Sequence, residues 1–381
     1  MNLPNRMPPQ NSLPRDDEIE VSVFGPGYGE SLLIHVGKGC WIAVDSCIDH
    51  ASRRPRPLRY LEELGVDPNK AIQIVVASHW HDDHVRGMYE LFKAASSAYF
   101  ICSSALTGVE FLALADLYAS DSSHTMRGPQ ELYRCLIETA ARGESSGRQI
   151  LRLAIVDRLL WATDTTINVR LTAMSPSDEM NRRSLVFMAQ AFAATKRGAK
   201  EDRLIESSPN DVAVALRLDV QDRAILLGSD LEEEGNPLVG WSAVMDSAAA
   251  REHRSTTFKV AHHGSRSGHH DGVWRELLEH NPLSLLTPFR WGRHRIPTSD
   301  DRARILTLTR RAFISAHPER LVKPKRKTVR KAEDLINRTA RNRRQVPGPV
   351  GHIRWRAPIF EPTSEGSLDL FGGAMALADV N

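Results

Sequence analysis

The sequence predicts an α/β fold in which two β-sheets pack face to face between two helical layers, a four-layer αββα sandwich. Two observations support this prediction. Strand-like segments occur in two batches along the chain, and each batch is interspersed with helical segments. In addition, 381 residues, 41% of them hydrophobic, are enough to bury one large core or two moderate ones.

The first batch begins with alternating apolar and polar side chains, the pattern of a strand with one buried face. Glycine-rich turns separate its first three strands, and Gly65 closes its first helix. We predict strands over 19–24, 31–36, 40–45, 72–77 and 99–102, and helices over 57–64 and 88–95.

A mostly helical insertion, about residues 106–160, separates this batch from the second. The second batch contains strands over 166–172, 211–218, 224–228, 258–261 and 283–287 and a helix over 178–195. The domain limits that we predict are a flexible N-terminus over 1–18, one domain over 19–357 that also carries a basic insertion over about 319–349, and a C-terminal tail over 358–381.

Residues 79–84, of sequence HWHDDH, carry most of the functional information. They contain three histidines and two aspartates, and they come just after the apolar strand 72–77. Alternate residues of an extended segment share a face, so His79 and His81 can bind one metal ion. Asp83 and His84 come after the next turn and can bind a second. Imidazole and carboxylate without thiolate suit Zn, and also Mn or Fe. The alternative, an exposed polar turn, does not explain the strand that leads into the cluster.

The pattern His-x-His-x-Asp-His after a buried strand resembles the metal motif of the metallo-β-lactamase-fold hydrolases. The resemblance implies the four-layer sandwich, with two divalent metal ions, Zn or Mn, at an edge where strands of both halves end. It also implies a hydrolase. Asp45, which follows the third strand, is then expected to support the metal-site loops by hydrogen bonds.

The resemblance implies two further metal ligands, each just after a strand. Asp230 is the expected carboxylate that bridges the two ions, although it also precedes a Leu-Glu-Glu segment and could cap a helix. His263 is the expected last ligand. His262 is then a group that supports the site or contacts the substrate, with an exchange of roles between the two histidines left open. Asp83 and His262 are the predicted catalytic residues.

One ligand of the family pattern is not a histidine in this chain. Its usual place lies about twenty residues before the bridging aspartate, where Asn210 and Asp211 stand. We prefer Asp211 as a weak oxygen ligand, and His124 in the helical insertion is the alternative. An oxygen ligand at this position favours a harder metal such as Mn.

A narrower resemblance rests on several segments taken together: 25–31, 226–230, 259–265, 291–297 and 351–356. Their order is similar to that of the hydrolase domain of the bacterial DNA-uptake channel proteins of natural competence. The likeness covers roughly residues 19–357, apart from the two insertions. The membrane channel of those proteins is absent, which implies a free-standing relative.

The net charge of +3 hides a strong asymmetry. Residues 302–344 contain fifteen Lys or Arg and three acidic residues, so this segment carries +12 and the remainder −9. Such a stretch can neutralise a phosphate backbone without reading bases, although a solvated surface loop is the alternative. The nucleic-acid-binding residues that we predict are Lys323, Lys325, Arg326, Lys327, Arg330 and Lys331.

These features predict a metal-dependent phosphodiesterase or nuclease, with a metal-bridging hydroxide as nucleophile. His262, Lys259 or Ser265 could contact the phosphate. One alternative is a hydrolase of a small molecule such as a cyclic nucleotide, lactone or thioester. Another is an effector subunit that a protein partner activates, for instance in phage defence. The metal motif alone does not distinguish them.

The four cysteines show no C-x-x-C spacing and read as reduced core residues of an intracellular protein. No segment is long and apolar enough to span a membrane, and the N-terminus lacks an apolar signal region. We therefore expect a cytoplasmic protein without membrane contact.

Overall fold

The computed structural model of the chain describes residues 11–25, 29–49, 52–120, 128–196, 209–291, 294–319 and 351–380. Its strands are β1 (Glu18–Gly25), β2 (Ser31–His35), β3 (Trp41–Val44), β4 (Ile72–Val76), β5 (Tyr99–Ser103), β6 (Leu151–Ala154), β7 (Leu159–Asp164), β8 (Asn168–Ala173), β9 (Leu216–Val220), β10 (Arg223–Leu227), β11 (Ser255–Lys259), β12 (Leu278–Leu286), β13 (Phe289–Trp291), β14 (His294–Ile296), β15 (Ala312–Ile314), β16 (Gly351–Pro358), β17 (Ser367–Phe371) and β18 (Met375–Ala376). Its α-helices are α1 (Arg56–Leu64), α2 (Pro68–Ala71), α3 (Asp82–Val85), α4 (Met88–Ala94), α5 (Val109–Ser120), α6 (Gly128–Ser146), α7 (Asp178–Lys196), α8 (Gly240–Met245) and α9 (Ser299–Leu308).

Two eight-stranded mixed sheets form the centre of the molecule. The first has the order β17-β16-β1-β2-β3-β4-β5-β6, and the second has the order β18-β15-β12-β11-β10-β9-β8-β7. A separate hairpin, β13-β14, follows β12. The strands divide between the two sheets in the two batches that the sequence predicts, except that β16 and β17 return to the first sheet.

Three clusters of buried apolar side chains define the layers. The cluster between the sheets includes Val21, Ile74, Leu218 and Leu285. A second cluster joins the first sheet to α1, α4, α5, α6 and α7, and a third joins the second sheet to α8 and α9. Because strands alternate their side chains between faces, each sheet contributes to two clusters. This layer order confirms the αββα sandwich.

Parallel strands of both sheets end at the edge that carries the metal motif. In the first sheet β3, β4, β5 and β6 run parallel, and in the second β10, β11, β12 and β15 do so. The loops that follow β3, β4, β10, β11 and β12 therefore meet in one region. In open α/β sheets, ligands bind outside the carboxyl ends of the strands.

The boundaries of two predicted segments require correction. The helical insertion ends at Ser146, and residues 151–154 and 159–164 form edge strands of the two sheets instead. Residues 209–212 form a short 3₁₀ turn, and the strand predicted over 211–218 begins only at Leu216. Apolar composition identified Val212 to Ala215 as strand, but these residues are buried by packing outside the ladder.

The chain on either side of the predicted domain also contributes to the fold. Residues 358–380 are not a simple tail, since β17 pairs with β16 and β18 pairs with β15. At the other end, Arg356 of β16 donates a hydrogen bond of 3.0 Å to the Ser12 hydroxyl. Edge strands of both sheets thus lie after residue 357.

Cys47, Cys102 and Cys135 are buried, Cys40 is half-buried, and all four are free thiols. Burial raises the pKa of the Cys47 and Cys102 thiols to about 12, so both are protonated at neutral pH. Within the described ranges, every helix is too short or too polar to cross a membrane.

Candidate metal centre

The predicted ligands come together from three strand ends. The motif 79–84 follows β4 of the first sheet, while Asp230 follows β10 and His263 follows β11 of the second. Gly228, between β10 and Asp230, permits this convergence, because a Cβ atom there would lie 2.8–2.9 Å from Ala261. The backbone of the β11 loop can therefore pass directly against the β10 loop.

Two groups of potential ligand atoms share one carboxylate. His79, His81 and Asp230 form one group. The other consists of Asp83, His84, Asp230 and His263, and within each group the ligand atoms all lie within 4.8 Å of one another. All six residues predicted as metal ligands are thus brought together, with Asp230 in the shared position expected for a bridging carboxylate.

Asp230 is the centre of the cluster. Its Oδ2 atom lies 3.8 Å from His79 Nε2, 3.3 Å from His84 Nε2 and 3.5 Å from His263 Nε2. The Oδ2 atom of Asp83 lies 3.5 Å from His84 Nε2 and 3.3 Å from His263 Nε2. Both aspartates are buried, so their charges are held in a region with little water.

Hydrogen bonds fix the orientation of three of the imidazoles. His84 Nδ1 lies 2.8 Å from Asp45 Oδ2, and His263 Nδ1 lies 3.2 Å from the Thr287 carbonyl oxygen. His79 Nδ1 lies 3.0 Å from the Ser78 hydroxyl. Since a carboxylate and a carbonyl only accept, Nδ1 of His84 and His263 carries a proton, and Nε2 is the ring nitrogen left to face a metal ion. This is the arrangement in which metal-bound histidines are usually held.

The atoms that face the centre of the cluster lack hydrogen-bond partners among the described residues. They are His84 Nε2, His263 Nε2 and Asp230 Oδ1, and all three are buried. A buried polar atom without a partner costs roughly 1–3 kcal/mol. Divalent metal ions of the Zn or Mn class take nitrogen and carboxylate ligands of this kind. The residues present therefore fit a divalent metal centre.

Without a metal, the cluster is a network of opposed charges. Burial alone favours neutral His84, but Asp230, Asp83, Asp45 and Glu30 outweigh it and hold the pKa of His84 well above its ordinary value. Likewise, burial alone raises the pKa of Asp230, but His263 and His84 outweigh it and lower that pKa well below its ordinary value. The carboxylates thus keep their negative charge, which is the form that binds metal.

Asp45 supports the site as predicted. Its Oδ1 atom accepts a hydrogen bond of 2.8 Å from the Ser78 backbone N–H, and its Oδ2 atom accepts one of 2.8 Å from the Ser78 hydroxyl. The backbone of Asp45 has a φ of +60°, a conformation that residues other than glycine rarely adopt. Ser229, His262 and His263 also have positive φ, from +45° to +53°. Such strain concentrates at functional sites.

Glu30 and Lys259 form a buried ion pair beside the ligand cluster. The sequence analysis did not predict this pair. Glu30 Oε2 lies 2.9 Å from Lys259 Nζ and 3.3 Å from His263 Nδ1, and it also accepts a hydrogen bond from Thr287. Both charged side chains are 1% exposed. The suggestion that Lys259 contacts phosphate is therefore wrong, because its ammonium group is committed to Glu30. A charged residue immediately before the apolar strand β2 was the available signal.

His262 lies at the accessible side of the cluster. Its Nδ1 atom lies 2.9 Å from Glu232 Oε1 and 2.7 Å from the Ser267 hydroxyl, and its side chain is 19% exposed. Its Nε2 atom lies 3.4 Å from Asn210 Nδ2. The structure thus separates the adjacent histidines: His263 faces the buried ligands and His262 faces a polar margin. Glu232, which the sequence analysis did not single out, orients His262.

The predicted replacement ligand is not part of either group. Asp211 lies in the 3₁₀ turn Pro209–Val212, and within the described ranges it does not join the ligand clusters. Its neighbour Asn210 instead reaches the margin through Glu232, at 3.0 Å. The alternative, His124, lies outside the described residues. The group formed by His79, His81 and Asp230 therefore has three protein ligands in the described part of the chain.

The helical insertion packs directly against the metal motif. Asp82 accepts a hydrogen bond of 2.7 Å from the backbone N–H of Gly128, the first residue of α6. A Cβ atom at Gly128 would lie 1.8 Å from the Trp80 carbonyl oxygen, so only glycine fits. The buried Trp80 ring packs 5.6 Å from Phe111 of α5. Trp80 thus packs the metal motif against the helical insertion.

The predicted nucleic-acid-binding residues lie outside the described residues. Lys323, Lys325, Arg326, Lys327, Arg330 and Lys331 all fall within 320–350. Their role remains a prediction.

No family model matches this chain, and no curated protein matches its sequence. Among solved structures, a metallo-β-lactamase from Cronobacter sakazakii is 15% identical, with 62% of this chain and 76% of that chain covered at a TM-score of 0.34. The metallo-β-lactamase-fold protein YhfI from Bacillus subtilis is 12% identical, with 78% and 95% covered at a TM-score of 0.35. MEM-A1, a subclass B3 metallo-β-lactamase from a soil metagenome library, is 13% identical, with 66% and 81% covered at a TM-score of 0.32.

These structural neighbours are metallo-β-lactamase-fold proteins, the class that the motif 79–84 resembles. TM-scores of 0.32–0.35 at this identity transfer neither substrate nor reaction to this chain. The narrower resemblance to competence hydrolase domains stays a prediction.

Proposed function

We propose that this chain is a metal-dependent hydrolase that cleaves phosphodiester bonds, with nucleic acid as its substrate. One observation carries the hydrolase assignment. Two groups of potential ligands, all buried except the half-buried His81, share Asp230, and the inward atoms His84 Nε2, His263 Nε2 and Asp230 Oδ1 have no hydrogen-bond partner within the described ranges. That arrangement matches a pair of divalent ions bridged by one carboxylate.

When bound, two such ions supply a hydroxide nucleophile at neutral pH and stabilise negative charge on the attacked group. The chain's own residues supply the geometry. Asp45 and Thr287 hold the rings of His84 and His263, and the strand ends of both sheets fix Asp83 and Asp230. A preorganised site of this kind does not need to reorganise during the reaction.

His262 is the residue positioned to handle a proton. Glu232 accepts from its Nδ1 side, so the imidazole is held in one orientation, and its partial exposure leaves it accessible to a substrate. In phosphodiester cleavage the departing alkoxide needs a proton, and a positioned imidazole supplies one more readily than water does. We assign this donation to His262 Nε2, in the ring form that carries a proton on both nitrogens and whose positive charge Glu232 balances.

The choice of phosphodiesters rests on charge. The segment 302–344 carries +12 on a chain whose remainder carries −9, and phosphate backbones bind such segments through counterion release. Neither a β-lactam nor a lactone would exploit a basic segment of this density. DNA and RNA are both compatible with backbone recognition, because backbone contacts do not read bases.

The direct test combines elemental analysis of the purified protein with cleavage assays on DNA and RNA in Mg, Mn and Zn. The expected result is bound divalent metal and cleavage that disappears in Asp83→Ala. The matched control is Asp222→Ala, which removes an exposed aspartate from the β9–β10 turn. Full activity of Asp83→Ala, or no cleavage by the metal-loaded wild type, would contradict the proposal.

A second experiment separates nucleic acid from small substrates. Residues 320–349 are replaced by a short glycine–serine linker, which leaves Glu319 and the paired strand β16 in place. We expect nuclease activity to collapse and its salt dependence to flatten, while hydrolysis of bis(p-nitrophenyl) phosphate is unchanged. Equal nuclease activity in the linker variant would show that the chain does not bind nucleic acid through residues 320–349.

A further inference from the structure

Two adjoining cavities lie along the edge strand β6, beside the first residues of β5 and β7, and neither includes a residue of the metal centre. The first has a volume of about 550 Å³ and contains three arginines, Arg148, Arg152 and Arg158, beside Tyr99. None of these residues belongs to the predicted basic segment or to the metal centre. The cavity is thus a separate concentration of positive charge.

The three guanidinium groups are organised but not neutralised. The Arg152 and Arg148 groups lie over the Tyr99 ring, 3.8 Å and 5.0 Å from its centroid. Arg158 donates a hydrogen bond of 3.0 Å to the Leu153 carbonyl, and Arg152 donates one to a carbonyl of β7. In the part of the chain that the structure describes, no carboxylate pairs with any of the three. Carbonyls fix a guanidinium without cancelling its charge, so the remaining N–H groups can bind an anion.

The pKa of Tyr99 is consistent with the positive charge of these arginines. A hydrogen bond from Arg148 lowers the pKa of Tyr99, against the smaller opposing effect of burial. The phenolate form is therefore favoured by the neighbouring guanidinium groups, as any bound anion would be.

The second cavity, of about 390 Å³, is aliphatic. It lies between α5, α6 and β6, and its walls include Leu112, Leu136 and Ile150. Arg148, Gln149 and Leu151 line both cavities, so the two adjoin along β6. Each volume falls within the range of roughly 300–1,000 Å³ that small-molecule sites occupy.

We propose that these two cavities form a nucleotide-binding site, with the phosphate group on Arg148, Arg152 and Arg158 and the base in the aliphatic cleft. Gln149, at the junction, can donate to and accept from the edge of a base. An inorganic anion would leave the cleft empty, and an uncharged apolar molecule would leave the three charges unpaired. A ligand that joins a flat apolar ring to a phosphate satisfies both. The nucleotide is either free or one unit of a nucleic-acid strand.

The test is isothermal titration of the full-length protein in EDTA, so that no turnover occurs. The probes are adenosine and guanosine monophosphates, a short single-stranded oligonucleotide and inorganic pyrophosphate. We expect Arg148→Ala combined with Arg158→Ala, both exposed positions, to weaken nucleotide binding by roughly tenfold or more. Ala140→Trp, which fills the cleft from α6, should weaken nucleotide binding and leave pyrophosphate binding unchanged.

Matched control variants show whether the losses come from these positions or only from the removal of two charges or the addition of a large side chain. Arg251→Ala with Arg254→Ala removes the same charge from exposed positions elsewhere, and Ala141→Trp adds the same bulk one residue along α6, outside the cleft. Both controls should bind nucleotide like the wild type. A monophosphate affinity equal to that of the oligonucleotide identifies a free nucleotide as the ligand, and oligonucleotide binding alone identifies a strand.

Two outcomes overturn the proposal: wild-type affinity in the double arginine variant, or pyrophosphate bound as tightly as nucleotide with no effect of Ala140→Trp. Hydrolysis of bis(p-nitrophenyl) phosphate, measured in the same variants with metal, should not change. Failure of that hydrolysis in the wild type would remove the proposed reaction and leave the nucleotide site intact, so the two failures are distinguishable.

Discussion

Asp45 Oδ2 lies 2.8 Å from His84 Nδ1, and the same carboxylate accepts two hydrogen bonds from Ser78, whose hydroxyl contacts His79. A single residue at the end of β3 thus orients one imidazole directly and another through Ser78. Its positive φ places the carboxylate between the two. The two ligand groups therefore share Asp230, and hydrogen bonds through Asp45 and Ser78 also connect His84 of one group to His79 of the other.

Asp45→Asn should weaken metal binding by roughly 10–100-fold, the usual cost of removing a partner of a metal-bound histidine. The amide can present an N–H to His84 Nδ1, which moves the ring proton to Nε2 and blocks the ligand atom. Competition with a chelator measures the affinity. Asp222→Asn is the control, and an unchanged affinity in Asp45→Asn would show that His84 does not depend on this contact.

Asp230→Asn should reduce the bound metal to one equivalent or less and lower the rate of diester cleavage by at least about 100-fold. An amide offers one neutral oxygen where a carboxylate offers two charged ones, so it cannot serve both groups. Elemental analysis after dialysis measures the first effect, and cleavage assays measure the second. Two equivalents of metal in the variant would assign Asp230 to a helix cap instead of a shared ligand.

The ligands could be predicted because each follows a strand. His79, Asp230 and His263 are polar residues placed directly after apolar segments, and a strand end is where a sheet presents side chains to a ligand. The pairing of Glu30 with Lys259 and of Glu232 with His262 could not be predicted, because the partners lie far apart in sequence and only the tertiary fold brings them together. The region near Asp211 was misjudged because buried apolar residues outside a ladder resemble a strand in composition.

Removing one member of the Glu30–Lys259 pair should lower the free energy of unfolding strongly. Lys259→Met should destabilise the fold by roughly 3–5 kcal/mol, because it leaves a carboxylate buried without its counter-charge. Glu30→Gln combined with Lys259→Met should recover much of that loss, since no charge then remains. Urea unfolding of the metal-free protein gives both free energies of unfolding.

The control for this pair is an exposed ion pair. Arg183→Met breaks the surface contacts of a 39% exposed arginine with Glu179 and Glu234, and should cost no more than about 1 kcal/mol. A Lys259→Met variant as stable as Arg183→Met would show that water reaches Glu30.

His35 predicts a stability loss in acid. Burial is the largest effect on this residue and lowers its pKa from 6.5 to about 4. The Gly39 N–H donates to Nε2 at 3.0 Å, which requires the neutral ring. Because the folded pKa lies below the unfolded value, the unfolded chain binds the extra proton between pH 6.5 and about 4, and unfolding becomes easier as pH falls through that window.

Over this window the wild type should lose up to about 3 kcal/mol more stability than His35→Gln, which cannot titrate. Urea unfolding at a series of pH values gives the difference between the two curves. His253→Gln, at an exposed position, should follow the wild type. Parallel curves for wild type and His35→Gln would mean that the pKa of His35 does not differ between the folded and the unfolded chain.

His262 predicts a dependence on the leaving group. An alkoxide departing from a nucleotide needs a proton, whereas p-nitrophenolate is stable without one. His262→Ala should therefore slow cleavage of a dinucleotide by roughly 100-fold or more and cleavage of bis(p-nitrophenyl) phosphate only slightly.

Glu232→Gln should give an intermediate loss on the dinucleotide, because the imidazole remains but loses the carboxylate 2.9 Å from Nδ1. His280→Ala, an exposed histidine of β12, controls for imidazole removal. Equal losses on both substrates would assign His262 to positioning of the β11 loop, since a proton donor acts only where the leaving group requires it.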